Sequence, residues 1–225
     1  MAMILGGHLV GKYLKEVENV DTVFCLSGGH IEAILDSFTE YKIRAIDVRH
    51  EQAAAMMAEA WSIYSGKPGV CLVTAGPGFT NALTPVANAR LANSPLLVIA
   101  GVVGLQACEK LDLQDMIQLP VITPMVKKAF ICHQADRIQE FVDMAYRTCI
   151  TGRPGPVYLE LPVDVMNTEV NPAMVRKTNT TPEARVVDRG KAAELIALMK
   201  EARKPVFIAG SGAYYLVLTR PMNMP

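Results

Sequence analysis

Residues 49–81, with the sequence RHEQAAAMMAEAWSIYSGKPGVCLVTAGPGFTN, decide the fold of this chain. Strong helix formers fill positions 51–64 and predict a helix that begins at or just before Glu51. The continuous apolar run at 69–74 is typical of a central parallel strand, and the Gly-Pro turn after it leads into another helix. Ligands of open α/β sheets bind outside the carboxyl ends of the strands, so Glu51 and the turn at 76–81 are predicted to face one ligand.

Glu51 is the first candidate for chemistry, and two interpretations of it are open. An acid in the first turn of a helix interacts favourably with the helix dipole, and this interaction contributes about 0.3–1 kcal/mol. The helix beyond Glu51 is apolar on nearly every face, with Glu59 as the one charge before Lys67. A carboxyl at the edge of so apolar a helix is partly removed from water, which suits it to sharing a proton with a ligand nitrogen.

Composition argues against several classes of function. The 22 basic and 22 acidic residues balance without a Lys/Arg cluster, which argues against nucleic acid, and no apolar run approaches the roughly 18 residues of a membrane helix. The first basic residue, Lys12, follows the apolar part of the N-terminal segment, whereas a secretory signal carries its basic residues first. Five widely spaced cysteines without a CxxC pair indicate reduced core thiols of a cytoplasmic protein rather than a zinc site or a disulfide framework.

Four segments carry a resemblance to a known family: RHEQAAAMMAEAW (49–61), KPGVCLVTAGPGFTNALTPVANA (67–89), SPLLVIAG (94–101) and GRPGPVYLELPVDV (152–165). In this order and spacing they resemble the N-terminal pyrimidine-binding domain of thiamine-diphosphate enzymes of the acetolactate synthase and benzaldehyde lyase group. The match covers roughly residues 4–170, and four motifs in one order are more specific than a single loose pattern.

The resemblance implies a cofactor and a mechanism. The family residue that matches Glu51 hydrogen-bonds the pyrimidine ring nitrogen of thiamine diphosphate. Further contacts to the same ring are assigned to Thr74, Pro77, Gly78 and Asn81. A proton shared with the ring nitrogen favours the imino tautomer, whose imine nitrogen removes the thiazolium C2 proton to make the nucleophilic ylide. In the family, Mg²⁺ and the diphosphate are held by a GDG motif followed by an Asn pair, which this sequence does not contain.

His30 closes the turn Ser27-Gly28-Gly29-His30, whose glycines permit close approach of the backbone to a ligand. An isolated histidine in such a turn is more often an ordinary helix-start residue. Benzaldehyde lyase-like enzymes, however, place a histidine at this turn that reaches the thiamine-bound substrate, while acetolactate synthases usually carry a small residue. By resemblance, His30 favours a benzaldehyde lyase-like member over acetolactate synthase proper.

Two further assignments rest on the resemblance. Gln114 aligns with a glutamine that points into the active site from a neighbouring subunit, and the alternative is a solvated loop glutamine beside Asp112, Asp115 and Gln118. Arg153 matches an arginine that touches FAD in acetolactate synthases. That FAD is not redox-active there, and benzaldehyde lyase-like members lack it, so FAD is left open and magnesium is assigned to a domain outside this chain.

The fold class follows from the order of the apolar runs. Strands are predicted from the pattern at 22–26, 43–47, 69–74, 96–100 and 156–161, and by resemblance at 124–130; helices are predicted at 4–17, from 31 onward, at 51–64 and at 135–150. Six strands alternating with helices predict an α/β, doubly wound, mainly parallel sheet with helices on both faces. The helix at 51–64 and its neighbour LTPVANARLA present more apolar and small residues than one sheet face needs, so self-association is expected. The resemblance implies a dimer or tetramer for the full-length enzymes.

Three regions divide the chain. Residues 1–166 are predicted to form the pyrimidine-binding domain, the polar stretch 167–187 a linker, and 188–225 the beginning of a middle domain. That last region is expected to hold a helix at 188–202, a strand at 205–209 and a Gly210-Ser211-Gly212 turn. A lone GSG is a weak signal for a nucleotide-binding turn.

The tail LVLTRPMNMP, residues 216–225, does not continue this pattern, because Pro221 and Pro225 oppose the helix that should follow the turn. One choice of codons for residues 216–221, read with a single added base, encodes Ser-Gly-Ala-Asp-Glu-Ala, which would open such a helix. The hypothesis is that the tail is aberrant through a frameshift and that the chain is truncated.

Two classes of function stand on the sequence. In the first, the chain is the N-terminal part of a thiamine-diphosphate-dependent C–C bond lyase or carboligase acting on 2-keto acids or 2-hydroxy ketones, with Glu51 activating the cofactor and His30 and Gln114 handling substrate oxygens. A 2-hydroxyacyl-CoA thioester is a further open substrate. In the second, it is a non-catalytic relative that acts as a binding or interaction module. Without the diphosphate-binding motif, the chain alone is expected to bind cofactor weakly and to be inactive.

Overall fold

A computed structural model describes residues 3–172, 188–210 and 212–213 of the chain. The chain divides into two compact units, Met1–Asn179 and Thr180–Pro225. Residues 173–187, which make up most of the predicted linker, lie outside the described residues, as do Ser211 of the GSG turn and the whole tail.

The first unit is built on a six-stranded sheet. Its strands are β2 (Thr22–Cys25), β3 (Arg44–Asp47), β4 (Gly69–Val73), β5 (Leu96–Val102), β6 (Lys128–Ile131) and β7 (Val157–Pro162). They lie in the order β3-β2-β4-β5-β7-β6, and every neighbouring pair is parallel. The predicted doubly wound α/β fold with a six-stranded sheet is confirmed. Because β3 and β4 flank β2 on opposite sides, the crevice at the carboxyl ends of these strands is the topological switch point at which such folds bind ligands.

Helices cover both faces of this sheet. They are α1 (Gly6–Glu16), α2 (Glu32–Tyr41), α3 (Glu51–Ser65), α4 (Pro77–Asn81), α5 (Leu83–Ala92), α6 (Leu119–Ile122), α7 (Ile138–Ile150) and α8 (Val163–Met166). One apolar core joins α1, α2 and α7 to the sheet, and a second joins α3, α4 and α5. Strand β4 divides its residues between the two cores, with Leu72 in the first and Cys71 and Val73 in the second. This burial on both sides explains why the central strands read as unbroken apolar runs.

A small antiparallel pairing was not predicted. Strand β1 (Ile4–Leu5) pairs with β8 (Glu169–Val170), and α1 therefore begins at Gly6 rather than at Ile4. Two-residue strands are too short to leave a periodic signal in the sequence. No helix among the described residues is long and apolar enough to span a membrane.

Three expectations from the sequence were wrong in detail. The strand predicted at 124–130 begins only at Lys128, because Thr123–Met125 forms a 3₁₀ turn and Pro124 has no N–H to donate to a sheet. All five cysteines are free thiols, as predicted, but Cys108 is exposed while the other four are buried. Residues 205–209 carry no strand, and the described part of the second unit offers no neighbouring strand for them to pair with.

The described part of the second unit is dominated by one helix, α9 (Arg189–Glu201), as predicted. Asp188 caps this helix by accepting a hydrogen bond from the backbone N–H of Lys191 at 3.1 Å. Apolar side chains of this unit remain exposed: Leu195, Ile196, Leu198, Val206, Phe207 and Ile208.

Candidate functional site

Three of the predicted site residues lie at the carboxyl ends of three adjacent strands. His30 follows β2, Glu51 follows β3 as the first residue of α3, and Thr74 follows β4 directly. All three side chains are buried, although each is polar. Parallel strands end at one edge of a sheet, so the topology brings these residues together from positions far apart in the sequence.

The carboxylate of Glu51 is held by a neighbouring helix. Asn81, the last residue of α4, donates from Nδ2 to Oε2 of Glu51 at 2.9 Å. No described residue donates a hydrogen bond to the other oxygen, Oε1, and a Cβ built on Gly78 would lie 3.2 Å from that atom. Glu51 is only 7% exposed, so a helix-dipole role alone does not account for its burial or for its contact with α4. The carboxylate therefore has one fixed oxygen and one that can receive a proton from a ligand.

Thr74 packs at the centre of the cluster. Its Oγ1 lies 3.3 Å from Nδ1 of His30, within hydrogen-bond distance. A Cβ on Gly28 or on Gly78 would come within 2.6 Å of the Thr74 side chain, closer than real contacts allow. Both glycines are thus required to keep the backbone close to Thr74, as expected for turns that approach a ligand closely.

The turn after β4 is set by Gly76. This residue has φ +58° and ψ −114°, a conformation that L side chains rarely adopt. It directs the chain into α4, which begins at the exposed Pro77 and ends at Asn81. The residues predicted to contact the pyrimidine therefore lie on one short turn and helix beside Glu51.

Gln114 lies against this same turn. A Cβ on Gly76 would be 3.0 Å from Cβ of Gln114 and 3.3 Å from its backbone oxygen. Gln114 is half-buried and has φ +60°, so the loop is bent sharply where it meets the turn. The contact is made within one chain, and the role assigned to the Gln114 side chain stays a prediction.

Arg153 is not brought to the cluster. It precedes β7, at the amino-terminal edge of the sheet, where its Nε donates to the side-chain oxygen of Asn93. The cluster around Glu51 lies at the carboxyl-terminal edge. Arg153 is exposed, and its assignment to FAD gains no support from its position.

Three buried polar residues next to the turn were missed by the sequence analysis. Gln118, counted there among the polar residues of a loop, is 1% exposed and hydrogen-bonds Gly76 and Tyr158. Tyr158 in turn donates to Glu160, whose pKa is raised by burial. The sequence of β7 does carry a signal for the pairing of Tyr158 with Glu160. Residues two apart on a strand share a face, and a charged residue in a buried strand needs a partner.

A fourth buried polar residue, Glu59, ties α3 to α5. Its carboxylate accepts from Nδ2 of Asn88 at 2.9 Å and from Oγ of Ser94 at 3.1 Å. The sequence showed Glu59 as the one charge of an apolar helix, and the structure gives it partners on the neighbouring helix and the loop after it. These bonds hold α3 and α5 against each other on one face of the sheet.

Comparison with known proteins identifies a family and several relatives of this chain. Residues 4–121, a little more than half of the chain, match the family described as thiamine pyrophosphate enzyme, N-terminal TPP binding domain. The family resemblance inferred from the four sequence motifs is confirmed. The match includes His30, Glu51, Thr74 and Asn81 within its range.

Individual relatives belong to two kinds of enzyme. The chain is 33% identical to the acetolactate synthase large subunit of Corynebacterium glutamicum over 215 residues, which cover 92% of this chain and 33% of that protein. It is 36% identical to the Lactococcus lactis acetolactate synthase large subunit over 214 residues, covering 93% and 37%. It is 40% identical to 2-hydroxyacyl-CoA lyase 2 of Xenopus laevis over 161 residues, covering 72% and 25%. The chain therefore spans about a third of the length of these synthases and a quarter of that of the lyase.

Proposed function

This chain belongs to the thiamine pyrophosphate enzymes, through their N-terminal TPP binding domain, and from that premise we propose that it holds the pyrimidine half of a thiamine diphosphate site between Glu51 and the turn after β4. Membership of the family implies thiamine diphosphate as the cofactor. The observation that carries the proposal is the buried Glu51 carboxylate, with Oε2 held by Asn81 and no described residue donating a hydrogen bond to Oε1.

The residues present fit this group. A flat heteroaromatic ring needs a surface without projecting side chains, and the close packing of Gly28 and Gly78 on Thr74 supplies one. Glu51 then offers Oε1 to a ring nitrogen, while Asn81 holds the carboxylate in place. When bound, thiamine diphosphate supplies a nucleophilic carbon for reactions beside a carbonyl. The task of Glu51 is to hold a proton between Oε1 and the ring nitrogen, which burial strengthens by excluding competing water.

We infer that His30 acts on an oxygen of the substrate. Nδ1 of His30 lies 3.3 Å from Oγ1 of Thr74, which holds the ring in the cluster, and an imidazole carries an N–H that can donate to such an oxygen. Gln114 meets the same turn and offers an amide that both donates and accepts. We assign both residues to substrate handling and Glu51 to cofactor activation.

The reaction class is C–C bond cleavage or formation next to a carbonyl. The relatives include acetolactate synthases and 2-hydroxyacyl-CoA lyases, which favours a 2-keto acid or a 2-hydroxyacyl compound as the substrate of the complete enzyme. We assign Mg²⁺ and the diphosphate to a domain other than residues 1–166. FAD is left out of the proposal, because Arg153 lies at the opposite edge of the sheet from Glu51.

We further propose that two copies of the chain associate through α3 and α5. Large apolar side chains on these helices remain exposed in the single chain: Met56, Met57, Trp61, Tyr64 and Leu91. Trp61 packs on Phe24 at 6.1 Å between ring centroids and is still 44% exposed, so it is ordered and available to a second copy. Enzymes of this family act on small molecules and form oligomers. We propose a reducing compartment such as the cytoplasm, which the five free thiols support.

Titration with thiamine diphosphate and Mg²⁺, followed by backbone amide NMR, tests the proposed site. We expect ligand-dependent shifts at the turn after β4 and at the start of α3 in the parent chain, and their loss in Glu51→Gln. Glu32→Gln is the matched control, because Glu32 is also the first residue of a helix but is exposed. A Glu51→Gln chain that responds as the parent does would overturn the assignment.

A further inference from the structure

A chain of buried hydrogen bonds leads away from the glycine turn into the sheet. The backbone N–H of Gly76 donates to Oε1 of Gln118 at 2.7 Å. Nε2 of Gln118 donates to the hydroxyl of Tyr158 at 2.8 Å, and that hydroxyl donates to Oε2 of Glu160 at 3.0 Å. All four residues are buried.

Backbone groups fix the direction of the bonds that Gln118 makes. The backbone N–H of Gly76 can only donate, and the backbone oxygen of Gly101, 3.4 Å from Nε2 of Gln118, can only accept. These two groups determine which way the Gln118 amide points. Tyr158 has a single hydroxyl proton, so once it donates to Glu160 its oxygen is left to accept from Gln118. The carboxylate at one end thereby orients the hydroxyl that accepts from the Gln118 amide.

Apolar packing adds a second link between the same strand and the site. The ring of Tyr158 packs on the ring of Phe79 with 5.5 Å between centroids and a tilt of 58°. Phe79 is buried in the middle of α4, between Gly78 and the residues that lead to Asn81. Tyr158 therefore contacts α4 through its ring and reaches Gly76 through its hydroxyl and Gln118.

Among the described residues, the carboxyl of Glu160 interacts with Tyr158 and Gln118, and its sequence neighbours on β7 are apolar. Burying an acid without need disfavours folding, as the raised pKa of Glu160 reflects. A polar chain inside an apolar sheet, ending on a turn that only glycine adopts readily, is typical of support for a functional site.

We propose that Gln118, Tyr158 and Glu160 are positioning residues of the thiamine site. They hold Gly76 in its positive-φ conformation, which sets the start of α4 and so places Asn81 against Glu51. The role in cofactor binding rests on the proposed function, whereas the effect on Gly76 does not.

Two pairs of variants separate positioning from general stability. Tyr158→Phe removes one oxygen and keeps the ring that packs on Phe79; its matched control is Tyr146→Phe, at a buried tyrosine of α7 in the other core. Glu160→Gln keeps an oxygen that accepts from Tyr158, whereas Glu160→Met removes it. We expect amide exchange at Gly76 to accelerate about tenfold in Tyr158→Phe and Glu160→Met and to stay at the parent rate in Glu160→Gln and Tyr146→Phe.

Thiamine diphosphate titration of the same folded variants provides the second readout. We expect a weaker cofactor response and a shifted Asn81 side-chain amide signal in Tyr158→Phe and Glu160→Met, with rescue in Glu160→Gln. A purely structural role would lower the denaturant midpoint without moving these two signals. Unchanged exchange at Gly76 in Tyr158→Phe, or the same acceleration in Tyr146→Phe, would overturn the proposal. A parent chain that does not respond to thiamine diphosphate would overturn the proposed function instead, while exchange at Gly76 would still test the hydrogen-bonded chain.

Discussion

Asn81 donates a hydrogen bond from Nδ2 to Oε2 of Glu51 over 2.9 Å, and this bond joins the glycine turn after β4 to the first residue of α3. It links two segments that are 30 residues apart in the sequence. The bond fixes one oxygen of a buried carboxylate, and no described residue donates a hydrogen bond to the other. The cofactor chemistry proposed for this chain depends on that asymmetry.

Replacing Asn81 by alanine is expected to lower the free energy of unfolding by about 1 kcal/mol, because Glu51 loses a charge-assisted hydrogen bond at a partly exposed position. Urea denaturation of the chain measures the change. Gln52→Ala serves as the control, since Gln52 adjoins Glu51 but its side chain is not part of the described bond. Equal losses in the two variants would show that the Asn81 bond adds nothing specific.

Glycine at position 78 is predicted to be essential, while glycine at position 29 is not. A Cβ on Gly78 would lie 2.6 Å from Cγ2 of Thr74, whereas a Cβ on Gly29 would meet no atom within 4 Å. Gly78→Ala should therefore shift Thr74 and Glu51 and weaken the response to thiamine diphosphate, with Gly29→Ala near the parent. A full cofactor response in Gly78→Ala would contradict the close approach inferred at Thr74.

The stability of the fold is predicted to fall as the pH rises from about 4.5 to about 7 because of Glu18. Burial, and then the charge of Asp143, raises the pKa of Glu18 from 4.5 to about 7. The folded chain binds this proton more tightly than the unfolded chain, so the contribution to stability is full below pH 4.5 and is lost as the pH passes 7. The pKa of Glu160 is also raised by burial, so this group likewise lowers the stability of the fold as the pH rises.

Unfolding free energies measured at several pH values between 4.5 and 8 test this account. Glu18→Gln should flatten the dependence, because it removes the titrating group and keeps the side-chain volume. Glu16→Gln, at an exposed position nearby, should leave the parent curve unchanged. A Glu18→Gln curve as steep as that of the parent would show that Glu18 does not cause the dependence.

Self-association is predicted to depend on α3. At tens of micromolar, sedimentation should show the parent chain as a dimer or a larger species, and Trp61→Glu should shift it to monomer by placing a charge in the apolar surface. Leu113→Glu is the matched control, because Leu113 is exposed in the loop before α6 rather than on α3 or α5. A monodisperse parent monomer would count against the interface.

The sheet could be predicted from the sequence because its central strands are buried on both faces and read as long apolar runs. Glu51 and the turn after β4 could be assigned to one edge, since the carboxyl ends of parallel strands lie together. Burial that depends on tertiary contacts could not be predicted in this way. Gln118 reads as a polar loop residue and becomes buried only because Tyr158 and the Gly76 amide supply its partners.

The strand predicted at 205–209 and the unpredicted pairing of β1 with β8 also depend on tertiary contacts. Residues 205–209 have the composition of a strand, but a strand forms only beside a partner, and the described residues of the second unit provide none. The pairing of Ile4 with Val170 joins the two ends of the first unit through strands too short to show a period. Roles of single side chains, such as those of His30 and Gln114, remain predictions because they depend on a ligand.

The most direct test of the central claim is exchange of the thiamine C2 proton for deuterium. It is measured in a chimera that joins residues 1–170 to the C-terminal remainder of an acetolactate synthase relative, which supplies the diphosphate-binding part. In Glu51→Gln, the exchange rate and turnover should fall by several orders of magnitude with the fold intact, while Glu32→Gln should match the parent. A helix-dipole role would account for only about 0.3–1 kcal/mol, so exchange at the parent rate in Glu51→Gln would contradict the assignment of Glu51 as the residue that activates the cofactor.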